Sequence, residues 1–254
     1  MNEIDPGAVC LQETKLGDKD FNFGLNYCFY RSPPPDSERA KGGAAIIVKK
    51  SVQQSTVVLN TTLQAVAARI LFNRFLTICS VYLPPDCDFS HRDLQDLIDQ
   101  LPTPFLLLGD FNAHNPLWGS VSLDDKGKII EELLDKNPIS LFNDGRNTYH
   151  NIHTGYSSAI DLSICSSNLL IEFEWSVDEE LHGSDHYPIY MKGLQSTSSG
   201  VSKWKIEEAD WINYKKEIVL EKDYESFSNH IEAYEYLTAS MLKSGDNNIP
   251  KKHR

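Results

Sequence analysis

The chain is 254 residues long, carries a formal net charge of −12 and contains five cysteines. That length suits one sizeable core, while an odd number of cysteines at no metal-ligand spacing argues against a disulfide framework or a thiolate zinc site. No run approaches the roughly 20 apolar residues of a membrane span, and Met1–Asp20 has no signal-peptide core, so neither a membrane partner nor secretion is expected.

In chain order, strands are predicted near residues 8–12, 43–48, 55–59, 65–72, 75–82, 105–109, 159–165, 170–176 and 187–191, with helices over 90–101 and 126–136. Ser90 is a candidate N-cap, and Leu94, Leu97, Ile98 and Leu101 fall on one stripe of the first helix. Arg31–Lys41, with three consecutive prolines, reads as a surface loop. Arg31, Arg39, Lys41, Lys49 and Lys50 cluster around one predicted hairpin and read equally as a positive rim or as a solvated surface. Cys10, Cys79 and Cys165 stand inside apolar strand-like runs, as reduced structural thiols of an intracellular protein do.

Five short segments carry chemistry. Ala8–Thr14 is an apolar run ending at Glu13, a hard oxygen ligand suited to Mg2+, although alone it is an ordinary strand-end glutamate. The alternating strand over Thr77–Pro85 ends at Tyr82, a core tyrosine or a hydroxyl donor to a phosphate. Leu106–Ser120, LLLGDFNAHNPLWGS, is a buried-looking strand that stops at Asp110 and Asn112, two polar groups projecting from one face into the cleft beyond. Asp161 interrupts the apolar run Ala159–Ile164, and a buried carboxylate needs a partner. His186, beside Asp185 in Gly183–Ile189, supplies one: Asp161 is the candidate to orient the imidazole as a general acid or base. Trp118 is expected to pack beneath its loop, and His114 has no derivable role.

Taken in order, LQET, SVYLPP, LLLGDFNAH, SAIDLSI and GSDHYPI resemble the endonuclease/exonuclease/phosphatase superfamily over about residues 8–191. The wording GDFNAHNPLWGS followed by SAIDLSI and HGSDHYPI resembles the endonuclease domain of jockey-type non-LTR retrotransposons more closely. The resemblance implies an α/β (α+β) fold of two packed mixed β-sheets flanked by helices. It implies Glu13 and Asp185 as metal contacts, with Mg2+ or Mn2+ as cofactor. Asp110 then activates or positions water, Asn112 and Tyr82 contact the scissile phosphate, and Asp161 orients His186. It further implies DNA as substrate, a reverse transcriptase domain as partner, and action inside the cell, in the nucleus. The same pattern places an asparagine-bearing strand and a helix ahead of the glutamate. With Glu13 so early, that strand is missing, Asn2 cannot stand in for its asparagine, and the chain reads as N-terminally truncated.

Residues 1–193 read as the endonuclease/exonuclease/phosphatase domain. Residues 194–203 are a Ser/Gly-rich linker by composition, and 204–254 a helical connector with Trp211, Tyr214, Phe227, Tyr234 and Tyr236, too short for its own core. The reading is a metal-dependent endonuclease that nicks DNA to prime reverse transcription. Two alternatives stay open: a phosphatase of the same fold acting on a small phosphoester, and a catalytically dead fragment serving as a binding module.

Overall fold

A computed structural model describes residues 5–16, 26–32, 42–194, 203–218 and 230–252. These form two compact units, residues 1–194 and 195–254.

The larger unit holds two packed β-sheets. Strands β1 (Ala8–Gln12), β2 (Tyr27–Arg31) and β3 (Ala44–Lys49) make an antiparallel sheet in the order β1-β3-β2. The second sheet is mixed. Its strands β4 (Gln54–Val57), β5 (Gln64–Leu71), β6 (Phe75–Tyr82), β7 (Phe105–Asp110), β8 (Ile139–Leu141) and β11 (Asp161–Ser166) lie in the order β4-β5-β6-β7-β11-β8, with only the β6/β7 pair parallel. Between them in sequence run helices α1 (His91–Asp99) and α2 (Asp125–Lys136) and the small hairpin β9 (Tyr149–His150) and β10 (Ser157–Ser158). Strands β12 (Phe173–Val177) and β13 (Ile189–Gly193) pair with each other.

The central strands β5, β6 and β7 are buried on both faces, and their two-residue period sorts side chains between two cores. Ala65, Ala67, Cys79, Val81, Phe105 and Leu107 meet Leu94, Leu97 and Ile98 of α1 and Ile130 and Leu133 of α2. Val66, Ala68, Ile70, Leu76, Ile78 and Leu106 instead meet Ala44, Ile46 and Val48 of the smaller sheet. Burying each large aliphatic side chain is worth about 2 kcal/mol. Helix α1 begins with a capping box, Ser90 receiving the Asp93 amide while the Asp93 carboxylate receives the Ser90 amide, as its sequence predicts. Helix α2 is capped by Asp124, and its Gly127 lies so close to the His114 carbonyl that a Cβ there would come within 2.1 Å.

The strand boundaries differ from the sequence reading in places with physical causes. The strand expected over 159–165 starts at Asp161, because the amides of Ile160 and Asp161 are taken by the Thr148 hydroxyl. The strand expected at 187 starts at Ile189, since Pro188 has no amide to donate. The strand expected at 170 starts at Phe173, after a 3-10 turn over Ser167–Leu169. Strands β2, β8, β9 and β10 are too short or too polar to have been read. The basic cluster is dispersed: Arg31 pairs in register with Ala45 and Lys49 with Tyr27, at opposite ends of the β2/β3 pair, while Arg39 and Lys41 lie outside the described residues. Lys49 is also ion-paired to Asp5. Asn2 and most of the Arg31–Lys41 loop lie outside the described residues as well.

Within the smaller unit, β14 (Lys203–Trp204) pairs with β15 (Lys251–Lys252) and brings its two ends together around α3 (Trp211–Glu217) and α4 (His230–Asn248). Asp210 caps α3, and the Ser244 hydroxyl of α4 donates to the Tyr214 carbonyl. Most of the expected linker, residues 195–202, and Phe227 lie outside the described residues. Among the described residues no helix is long and apolar enough to cross a membrane, and all five cysteines are unpaired.

Gly109 is required by a close strand approach, since a Cβ there would sit 1.9 Å from the Val81 carbonyl oxygen of the parallel neighbour. Gly109→Ala is expected to lower the stability of the larger unit by about 3 kcal/mol, read as a fall in the urea midpoint of its unfolding. An unchanged midpoint would contradict the packing described.

Candidate active site

The site begins as a row across the mixed sheet. Tyr82, Asp110 and Asp161 are paired in register on the neighbouring strands β6, β7 and β11. Directly paired residues project from the same face of a sheet, so a hydroxyl and two carboxyls stand side by side at one end of the sandwich, on the side of the smaller sheet. Adjacent strands are about 4.8 Å apart. At that spacing two buried carboxylates repel, and Asp110 and Asp161 are both buried. Burial first, and the Asp161 charge second, hold the Asp110 carboxyl well above the usual carboxylate range, against the opposing pull of His186 and of Asn112.

His186 relieves the crowding. Its Nδ1 lies 3.0 and 2.9 Å from the two carboxylate oxygens of Asp161. Burial opposes a charged imidazolium there, but the Asp161 hydrogen bond and charge, with Asp110 and Asp185 nearby, outweigh it and push His186 up to about 9. The imidazole is therefore protonated at neutral pH, with Nδ1–H donated to Asp161. The ring rests edge-on against Tyr149, centroids 5.0 Å apart, and its residue bridges Tyr149 as an isolated strand pair. Thr148, fully buried, takes the amides of Ile160 and Asp161 on its hydroxyl and fixes where Asp161 starts. Asn143 holds the same strand from its other edge, donating to the Asp161 carbonyl and accepting the Ser163 amide. Thr148, Tyr149 and Asn143 carry this geometry yet escape a sequence reading. They lie in a loop-rich stretch with no periodicity, and their role exists only through contacts with distant residues.

Asn112 follows the strand end with left-handed backbone, φ 46°. Its amide donates to Asp110 Oδ1, and its Nδ2 donates to Asp110 Oδ2 at 2.9 Å and to the Leu83 carbonyl at 3.1 Å. The carboxamide thus locks the Asp110 carboxyl in place and turns its own oxygen outward from those two contacts. The rest of the LLLGDFNAHNPLWGS motif is structural. Asn115 caps the turn over Pro116–Trp118 and donates to Glu131, while the buried Trp118 indole donates to the Ala113 carbonyl. Trp118 thus packs under the loop, as expected, and the His114 carbonyl receives the Asp124 amide ahead of α2.

Glu13 reaches the same end from the smaller sheet. Tyr82 Oη donates to Glu13 Oε1 at 2.6 Å, and Lys15 Nζ lies 3.0 Å from Oε2. The tyrosine hydrogen bond, helped by Lys15 and opposed by partial burial, lowers the Glu13 pKa, so the carboxylate is ionised. Burial and the Glu13 carboxylate keep the Tyr82 hydroxyl protonated. Six of the seven predicted residues, Glu13, Tyr82, Asp110, Asn112, Asp161 and His186, are linked here by hydrogen bonds or charge. Asp185 is exposed, and it touches the group only through the field it exerts on His186 and through its backbone, whose carbonyl accepts the His150 amide.

The donor set fits a hard divalent cation. Donor atoms of Asp110, Asp161 and His186 lie within 4.8 Å of one another, but a protonated imidazole has no lone pair to give, and both Asp161 oxygens face it. Outside that trio, the ionised Glu13 carboxylate is a hard oxygen ligand suited to such an ion. The raised Asp110 pKa is the mark of a site with more negative than positive charge.

The chain is similar to several known proteins. Residues 76–190 match a family model described as endonuclease-reverse transcriptase. The TRAS1 endonuclease domain, from a telomere-specific non-LTR retrotransposon, superposes with a TM-score of 0.57 at 24% identity, covering 66% of this chain and 81% of that one. The chain thus shares its fold with this endonuclease domain. A second similar fold, the catalytic domain of Xenopus laevis APE2, superposes with a TM-score of 0.57 at 20% identity over 74% of this chain and 84% of that one. Two Drosophila melanogaster sequences are also similar. The RNA-directed DNA polymerase from mobile element jockey is 27% identical over 115 residues, 45% of this chain. The probable RNA-directed DNA polymerase from transposon X-element is 29% identical over 111 residues, 43% of this chain. The matched stretch spans 12% of the length of each.

A raised histidine pKa stabilises the fold while the imidazolium is present. The Asp161–His186 contribution is therefore complete below the ordinary value of 6.5 and is lost as pH rises through about 9. Asp161→Asn should return His186 from about 9 to near 6.5, followed by two-dimensional nitrogen–proton NMR of the imidazole. A histidine still titrating near 9 in that variant would place the source of its charge elsewhere.

Proposed function

We propose that this chain is a divalent-metal-dependent phosphodiester hydrolase, an endonuclease domain that nicks DNA and leaves a 3′-hydroxyl to prime reverse transcription by a polymerase domain of the same element. The observation that carries the reading is the row Tyr82–Asp110–Asp161 closed by His186 and Glu13. The family model over residues 76–190 and the mobile-element names of its relatives support a nucleic-acid substrate.

The residues divide the work by charge. The Asp110 carboxyl, lifted toward neutrality by burial and by Asp161, is suited to take a proton from an attacking water. Asn112 holds that carboxyl in one orientation. The His186 imidazolium, kept charged by Asp161, offers its other N–H to a phosphate oxygen as negative charge develops. Tyr82 keeps its proton and steadies Glu13. Glu13 and Asp185 are the residues that would hold Mg2+ or Mn2+, which would supply further positive charge to the phosphate. The site of action that follows is the nucleus, where the target DNA lies.

The test is nicking of supercoiled plasmid with and without Mg2+. Wild-type chain should convert it to the relaxed form only with the cation. Asp110→Ala and His186→Ala should each lose about 10³-fold or more, because groups acting as a unit fail singly. Nicking by the wild type should also decline above about pH 9 as His186 loses its proton. Near-full nicking by folded His186→Ala, free of contaminating nuclease, would overturn the assignment.

A further inference from the structure

The row that carries Tyr82, Asp110 and Asp161 has a fourth member. Gln64 on β5 is paired in register with Tyr82, so its carboxamide stands at the same end and on the same face. Its Oε1 accepts the amide of Gly43, in the segment that leads into β3. That segment lies against the residues after β1: the Gly43 carbonyl accepts the Thr14 amide at 3.2 Å, and the Gly42 carbonyl accepts the Lys15 amide at 2.7 Å. Gly42 is wedged in, since a Cβ there would come within 2.5 Å of Gln64 Oε1 and 2.6 Å of the Tyr82 ring, and its φ of 71° already favours glycine.

The backbone held in this way is strained. Glu13 and Lys15 both have left-handed φ, 49° and 50°. A non-glycine residue in that region costs about 1–3 kcal/mol and persists only where its surroundings over-determine it. Around Glu13 the surroundings are the two glycine carbonyls, and the glycine segment is in turn tied to the mixed sheet by Gln64. The Glu13 side chain then meets Tyr82, the register partner of Gln64. One strand pair thus grips both the backbone and the carboxylate of Glu13.

We infer that Gln64 is a positioning residue for the cation-binding carboxylate, acting through Gly42 and Gly43 to hold Glu13 where Tyr82 can meet it. The inference rests on the reading of Glu13 as a cation ligand for its consequence, but not for its geometry. A loose sheet edge elsewhere should not have that consequence. Gln54 provides the comparison, because its carboxamide also braces the β2/β3 pair, accepting Tyr30 and donating to the Lys49 and Val52 carbonyls.

The experiment compares the full chain with Gln64→Met, which keeps the length and loses the acceptor, Gln64→Glu, which keeps an acceptor oxygen, and Gln54→Met. Amide hydrogen exchange is followed at Thr14 and Lys15, and the dissociation constant of Mn2+ alone is read from the electron paramagnetic resonance of free ion. Gln64→Met should exchange both amides about tenfold faster or more and weaken Mn2+ binding about tenfold, with Gln64→Glu nearer wild type in exchange. Gln54→Met, even with an equal fall in melting temperature, should leave both readings unchanged. Wild-type exchange at Thr14 and Lys15 in folded Gln64→Met would overturn the inference, as would an equal Mn2+ loss in Gln54→Met. Should Glu13→Gln bind Mn2+ as the wild type does, the ligand assignment falls, while the exchange data still decide whether Gln64 holds the segment.

Discussion

Register across four strands is the constraint on which the rest of the molecule depends. Gln64, Tyr82, Asp110 and Asp161 share one row because β5, β6, β7 and β11 pair as they do, and a slip of one residue in any pair would turn its member to the opposite face. Both faces of the central strands are buried, so such a slip would also exchange the two hydrophobic cores. The packing that stabilises the sandwich is therefore the same packing that assembles the site. Gly109, one residue before Asp110, allows the parallel strands to approach closely enough for the row to exist.

Gathering polar groups at the end of a packed sandwich is unfavourable unless charges are matched. Two buried carboxyls and one imidazolium leave Asp110 under-compensated, and its raised pKa is the result. The same imbalance makes the group useful, since a carboxyl poised toward neutrality exchanges protons readily and an imidazolium held charged can meet a phosphate. Strain is concentrated in the same place. Of the four non-glycine residues with left-handed backbone among the described residues, Glu13, Lys15, Asn112 and His182, the first three belong to or touch the site.

Much of this was legible in the sequence because it is local. The capping box at Ser90, the apolar stripe of α1, the strand ending in Asp110 and Asn112, and the pairing of Asp161 with His186 follow from short-range patterns and from the cost of a lone buried carboxylate. The motif order anticipated the family match over residues 76–190. The strands β2, β8, β9 and β10 were not legible, since two to five half-buried residues lack a period long enough to read.

What the sequence determined by itself was the set of chemical groups and the strands that bear them, because alternation and motif spacing are properties of neighbouring residues. Tertiary structure alone decided which groups meet. Tyr82 pairs with Glu13 across 69 positions, and Asn112 spends its carboxamide on Asp110 and Leu83. Gln64 grips a glycine pair 21 residues away. Such contacts depend on register and sheet packing, which arise from the whole core at once and leave no mark on any short stretch of chain.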